Sequence, residues 1–363
     1  MSTRFAEIAE KRRAGERLTA ADALYLFEEG DLFALGRLAA EVNARLNGGI
    51  VYYNINRHIN PTNICVNQCR FCAYSKVKGE EGAYAQEIDE ILAEVAGAEE
   101  QGIREFHIVG GLHPDRPFAY YLELLQSLKA AHPKIVLKAF TAVEIDYFAK
   151  LSGLSIPEVF ARLKEAGLQA MPGGGAEIFA PSVRNRICPE KISGERWLEI
   201  MEMAHTAGIP TNATMLYGHL ESFVDRIDHM EKLRSLQDRT SGFQVFIPLA
   251  FHAENTDIRK KGMTSGIDDL KTLAIARLYL DNFRHLKAYW VMLGEKIAQL
   301  ALLFGVNDLD GTVVKERITH AAGAKSAVGL GENHIRNLIA RAGRQPVERD
   351  TFYRPVSEGG GYE

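Results

Sequence analysis

The sequence is short of cysteine, with four in 363 residues, too few to support a disulfide framework. It also lacks a basic surplus. The 43 Lys and Arg residues against 47 Asp and Glu leave a formal net charge of −4. Chains that grip phosphate backbones usually show the opposite balance, so no nucleic-acid partner is expected. No apolar run approaches the roughly 20 residues that a membrane helix needs. The segment 1–13 mixes charges and has no apolar signal core, so a cytoplasmic protein without membrane insertion is expected. A phosphate-binding G-x-x-x-x-G-K-[ST] loop, a dinucleotide fingerprint, internal repeats and low-complexity tracts are all missing.

What is present is the balance of a globular chain, 46% hydrophobic and 25% charged. The segment 21–47 has helical periodicity after a capping Thr19 and ends at Gly48 and Gly49. Beyond it, short β-branched runs alternate with longer amphipathic ones. Strands are predicted at 50–59, 106–110, 135–142, 168–171, 211–217, 243–251, 286–292 and 306–309. Helices are predicted at 85–100, 120–131, 156–166, 195–207, 226–237 and 270–283. Strand and helix in alternation imply parallel pairing with right-handed crossovers. Eight such units predict an α/β fold, a (β/α)8 TIM-type barrel, full or nearly full, over 50–342. An N-terminal helical extension, 1–49, precedes it, and a tail, 343–363, packs on it as a strap that frays at its end.

Three of the four cysteines fall in eight residues, Cys65, Cys69 and Cys72, in a polar loop after the first predicted strand. Three thiolates on a tight loop suit three corners of a cubane iron–sulfur cluster and leave the fourth iron open. Structural zinc normally takes four protein ligands. The remaining cysteine, Cys188, is far off in sequence and reads as a packing residue. An electron carrier, the non-enzyme alternative, would need every iron ligated and little protein around them.

This loop, with Phe71 before its last cysteine and a predicted barrel after it, resembles the radical S-adenosylmethionine (SAM) superfamily. The resemblance implies a 4Fe-4S cluster on the three cysteines, with SAM chelating the open iron and being cleaved to methionine and a 5′-deoxyadenosyl radical. The pair Gly110–Gly111 resembles the family's contact to the SAM amino group, although Leu112 stands where many members carry Glu. The Tyr74 main chain resembles the adenine contact. Gly173, Gly174 and Gly175 form a turn able to approach a ligand closely, followed by Glu177 for a ribose and Arg184 for the methionine carboxylate. The run 246–249 (FIPL) would wall the adenine.

The segments 138–145 (KAFTAVEI), 170–178 (AMPGGGAEI), 210–219 (PTNATMLYGH) and 288–290 (AYW) narrow the resemblance to the aminofutalosine synthases. It implies addition of the adenosyl radical to 3-[(1-carboxyvinyl)oxy]benzoate, giving 6-amino-6-deoxyfutalosine, methionine and a one-carbon fragment, for menaquinone biosynthesis. A flavodoxin or ferredoxin would supply the electron. The related cyclic dehypoxanthinylfutalosine synthase is the alternative. Two substrate carboxylates need cationic or multiple-donor partners, and the radical needs a water-poor pocket. His219 is expected to bind a carboxylate or donate a proton, and Glu144 to order the polar part of the pocket. Arg57, His58, His113, Thr141, Asn212 and His252 are further substrate candidates, at or near predicted strand ends.

Overall fold

The computed structural model describes residues 3–258 and 264–356. Helices Thr3–Arg13, Ala20–Glu29 and Leu32–Asn47 come first. The single helix expected over 21–47 is therefore two. Gly30 ends the first, and Asp31 starts the second by accepting a hydrogen bond from Ala34 N at 2.8 Å. Thr19 caps as expected, in a reciprocal box with Asp22. Helix Leu32–Asn47 then packs along Gly266–Tyr279, and Ala20–Glu29 along Phe223–Thr240.

Nine strands follow: β1 Ile50–Asn54, β2 Asn56–Ile59, β3 Glu105–Ile108, β4 Val136–Ala139, β5 Thr211–Tyr217, β6 Phe243–Ala250, β7 His285–Leu286, β8 Asp308–Gly311 and β9 Gln345–Glu348. They form three parallel sheets in the orders β8-β1-β9, β2-β3-β4 and β5-β6-β7. Single parallel bridges join sheet edges: Lys138 to Ala170, Met171 to Thr211, Lys287 to Asp308, and Arg57 to Val314.

Several expected boundaries move for local reasons. The first predicted strand breaks at Ile55 into β1 and β2. There Thr312 Oγ1 donates to Asn56 O (2.8 Å) and Asn56 Oδ1 accepts from Val313 N (2.8 Å), so side chains stand in for ladder bonds. Residues 168–171 make bridges but no strand, pinned between Gly167, at φ 116°, and Pro172, which has no N–H to give. Of the strand expected at 286–292 only Leu286 falls in β7, His285–Leu286. Trp290–Leu293 turns helical, and the Trp290 indole donates to Gly311 O at 2.9 Å. The strand expected at 306–309 lies at Asp308–Gly311, and the helix expected at 85–100 shortens to Ile88–Glu94.

A helix not foreseen, Ala142–Ser152, starts where β4 ends. Thr141 and Glu144 form its capping box. This box places Glu144 at the C-terminal edge of the sheet, beside the cysteine loop. The tail supplies β9, which pairs with β1, and then inserts Arg349, 1% exposed, beneath the strands. Residues 357–363, which include the expected frayed end, lie outside the described residues.

Candidate active site

The cysteine loop leaves the C-terminal end of β2 and is tied down on three sides. Cys65 N donates to Lys76 O (3.0 Å), Val66 N to Leu112 O (3.0 Å) and Arg70 N to Ile187 O (2.8 Å). Cys69 is buried and Cys65 and Cys72 are half-buried. Burial pushes the Cys65 thiol up and the Cys69 thiol to about 12, while the Lys191 ammonium pulls both down. Among the described residues no group of three or more His, Cys, Asp or Glu could hold a single metal ion.

All three cysteines face one cavity of about 340 Å³. Its walls also take in Tyr74, Gly110, Gly111, Thr141, Glu144, Gly173, Gly174, Gly175, Glu177 and Asn212, together with His58 and His252. The glycines are needed for space. A Cβ on Gly111 would collide with Ile64 O in the cysteine loop, and one on Gly173 would stand 2.7 Å from Asn212 O. Glu177 holds a left-handed φ of 48° and accepts from Lys191 Nζ at 2.6 Å. Asn212 Oδ1 is buried in this wall without a partner, an acceptor waiting for a ligand donor. Tyr74 spends its hydroxyl on Tyr84, so its main chain is what remains for an adenine. On β6 the period of two turns Ile247 and Leu249 into the cavity; Phe246 does not line it, and the wall expected from 246–249 is half as wide.

Glu144 Oε2 accepts from Thr141 N (2.7 Å) and Oε1 from Gly110 N (3.4 Å). Burial pushes its carboxyl up to about 7 despite those bonds. His58 stacks on His107 at 4.6 Å, and burial drives its pKa well below the ordinary histidine value, so the ring is neutral. His252 Nε2 bonds Met292 O at 2.8 Å.

Four expected residues do not reach this cavity. His219 folds back, with Nε2 on Leu216 O (2.9 Å) and Nδ1 accepting from Leu220 N (2.7 Å); its side chain is 0% exposed, sealed inside its own turn. Arg184 donates to the carbonyls of Ala176 (2.7 Å), Gly175 (2.9 Å) and Ile192 (2.8 Å), which makes it the clamp of the glycine turn and leaves it no carboxylate. Arg57 points outward to Glu94 O at 2.6 Å, because its neighbours Asn56 and His58 take the inward positions. His113 accepts from Asp115 N at 3.1 Å in a turn beyond the wall.

The sequence reading passed over the cavity's cations. Lys138 on β4, Lys287 after β7 and Lys191 all line it, with Glu105, Asp310 and Glu316. A signal was present: each of the first two lysines interrupts an apolar strand run, Val-Leu-Lys-Ala and His-Leu-Lys-Ala, where the alternation turns it inward.

Fold and cavity together define an α/β iron–sulfur enzyme. The sequence matches the profile of the radical SAM superfamily over residues 59–233 and that of the CofH/MqnC C-terminal region over 240–358. An aminodeoxyfutalosine synthase of Thermus thermophilus is 50% identical over 97% of this chain and 96% of its own length, and one from Streptomyces coelicolor is 44% identical over 97% and 94%. A 5-amino-6-(D-ribitylamino)uracil–L-tyrosine 4-hydroxyphenyl transferase of Methanopyrus kandleri is 42% identical over 93% and 92%. In fold the chain is similar to the FeFe-hydrogenase maturase HydG from Carboxydothermus hydrogenoformans (TM-score 0.75, 16% identity, 96% of this chain and 80% of that one). It is also similar to methylornithine synthase (TM-score 0.70, 18% identity, 93% and 97%). The chain belongs to the radical SAM superfamily, in the family of the aminodeoxyfutalosine synthases. Its cofactors are accordingly a 4Fe-4S cluster and SAM, its architecture is of the TIM type, and the three thiols, the glycine cradles and the orphaned Asn212 Oδ1 fit both groups.

Proposed function

We propose that this enzyme adds the adenosyl group of SAM to 3-[(1-carboxyvinyl)oxy]benzoate, forming 6-amino-6-deoxyfutalosine, methionine and a one-carbon fragment on the route to menaquinone. The observation that carries this reading is one cavity that joins a three-thiol loop to buried lysines suited to a dianionic substrate. A cluster held there by Cys65, Cys69 and Cys72 would supply the electron that converts SAM into methionine and the adenosyl radical.

The chain's own residues do the positioning. Cys65, Cys69 and Cys72 hold the cluster. Lys191, already paired with Glu177, faces the methionine carboxylate with its remaining donors. Glycines 110, 111 and 173–175 let the backbone come close to the ligand, and Asn212 Oδ1 accepts from a ribose hydroxyl. Ile247, Leu249 and Phe251 make a dry wall, and dryness spares a carbon radical from side reactions. Glu144 fixes the Gly110 amide. His219 and Arg184 serve as positioning residues, in the 216–221 turn and the glycine turn.

The same reading joins the parallel segments, through their edge bridges, into a full or nearly full (β/α)8 barrel at 50–342, with 1–49 as an added helical unit and 343–363 as the strap. It makes the protein cytoplasmic and reduced by a flavodoxin or ferredoxin; among the described residues no helix is long and apolar enough to cross a membrane. The match to a CofH/MqnC C-terminal region favours one second reading, hydrogen abstraction as in the cyclic dehypoxanthinylfutalosine synthases. Anaerobic enzyme given SAM, dithionite and each substrate in turn separates them by mass spectrometry. An adenosyl adduct from the enolpyruvyl benzoate supports the proposal, and 5′-deoxyadenosine alone overturns it.

A further inference from the structure

Lys138 and Lys287 are 2% and 3% exposed, and both line the cavity. They come from opposite sides of the strand ring, β4 and the end of β7. Each is paired: Lys138 Nζ with Glu105 Oε2 at 2.8 Å, Lys287 Nζ with Asp310 Oδ1 at 2.9 Å and more distantly with Asp308 Oδ1 at 4.0 Å. Asp308 is in turn held by Arg349 Nε at 2.8 Å and by the Tyr353 hydroxyl at 2.6 Å. An ammonium has three donors, and each lysine shows one hydrogen bond. Burial opposes the Lys138 charge more strongly than Glu105 supports it, while Lys138 holds Glu105 ionised, well below the ordinary range, against its own burial. Among the described residues, then, each lysine is held by one carboxylate and has donors to spare.

We propose that Lys138 and Lys287 anchor the ring carboxylate of the substrate at the end of the cavity remote from the cysteine loop. The inference rests on the functional reading above and deepens it. The carbon that reacts must lie next to the adenosyl group, hence near the cysteines, and the ring carboxylate is the polar group of the substrate farthest from that carbon. Both lysines sit within the strand layer, below the loop that carries the thiols. The other carboxylate is the one lost. A cation bound to it would stabilise the charge that departure must remove, so an anchor made of lysines belongs on the ring. In the same row of the sheet as Lys138, His107 on β3 pairs with His58 on β2; His58 is neutral, lines the cavity and is stacked on His107 with planes 12° apart, a flat surface for the arene beside that lysine.

The test compares the enolpyruvyl benzoate with 2-phenoxyprop-2-enoate, identical but for the missing ring carboxylate, on anaerobic cluster-loaded full-length enzyme with SAM. Wild type should favour the benzoate at least about tenfold in kcat/KM, the range of a charge-assisted contact. In Lys287→Met that preference should fall below about threefold, because only the benzoate loses rate; Lys287→Arg should restore part of it. Equal losses on both compounds, or an intact preference, would overturn the anchor. If Lys287→Met does not fold, Glu105→Gln/Lys138→Met removes one whole ion pair and is held to the same criterion. Wild type alone gives a further reading: benzoate should compete with substrate at about tenfold lower concentration than benzamide, and equal competition counts against the anchor. Adducts from neither compound overturn the functional reading itself, whereas adducts from both with preference unchanged by mutation overturn only the anchor.

Discussion

Glu177 Oε1 lies 2.6 Å from Lys191 Nζ, and that ammonium also sits 4.8 Å from the centre of the Phe71 ring, between two cysteines of the loop. The lysine thus touches the cluster segment and the glycine turn at once. Although burial works against it, Cys69 and Glu177 raise its pKa above the ordinary lysine value, so it is a fixed cation in the cavity wall beside the cysteine loop. Lys191→Met should raise KM for SAM by about tenfold or more with bound iron unchanged. Iron analysis and SAM titration check this; a parallel loss of iron would show a role in cluster retention instead.

His219→Ala should leave kcat/KM within about threefold of wild type. Its cost should appear as lost stability, about 1–3 kcal/mol, because the Leu216 carbonyl and Leu220 amide lose their partner inside the protein. Denaturant midpoints beside product assays distinguish the two effects. A large fall in turnover at full stability would return this histidine to the chemistry.

Glu144 gives a pH signature. In the unfolded chain its carboxyl has the ordinary value of 4.5; folded, burial raises it to about 7. Between those values the folded protein keeps a proton that the unfolded chain has shed, so this group's contribution to stability falls as pH rises, by roughly 3 kcal/mol in all. Below the lower value nothing is lost, and above the upper one the loss is complete. Glu144→Gln should therefore gain on wild type across that window, measured by urea unfolding of cluster-free protein at pH 4.5 and 8. A constant difference between the two proteins would show that the carboxyl titrates normally.

Cys188 is 1% exposed and sits at the end of helix Pro181–Ile187. Cys188→Ala should bind wild-type iron, at a packing cost of about 1 kcal/mol, whereas alanine at Cys65, Cys69 or Cys72 should abolish the visible absorption of the cluster. Lost iron in Cys188→Ala would make it a ligand.

Arg349 is held by Asp308 at 2.8 Å, with both side chains almost fully buried. Arg349→Met leaves a buried carboxylate without its main counter-charge, and about 3–5 kcal/mol of stability should go with it. Thermal unfolding against Arg349→Lys would show whether charge alone suffices.

Local features were the ones the sequence made plain. The cysteine spacing is contained in eight residues. Strand β5 and helix Ile156–Ala166 occupy their expected ranges to the residue, the strand because all seven positions are buried, the helix because Ser155 and Gly167 mark both ends. Helix Ala142–Ser152 was hidden because the strand expected at 135–142 runs up to its first residue, and the Thr141–Glu144 box was the better guide. Orientation was the harder problem. His219 follows a strand end and was expected in the pocket, yet the turn at Gly218, φ 88°, sends its ring back into the protein. Lys138, Lys191 and Lys287 meet only in three dimensions, from positions far apart in the chain.

Strand β9 pairs with β1, so the edge of the first strand is completed by residues far downstream of it in the chain. Synthesis runs from one end, and folding of the nascent chain follows it. The thiol loop thus emerges well before Arg349 can reach Asp308, and until then the cysteines belong to an unfinished shell. The floor on which Lys287 and Asp308 stand is therefore complete only when the β9 segment has joined β1.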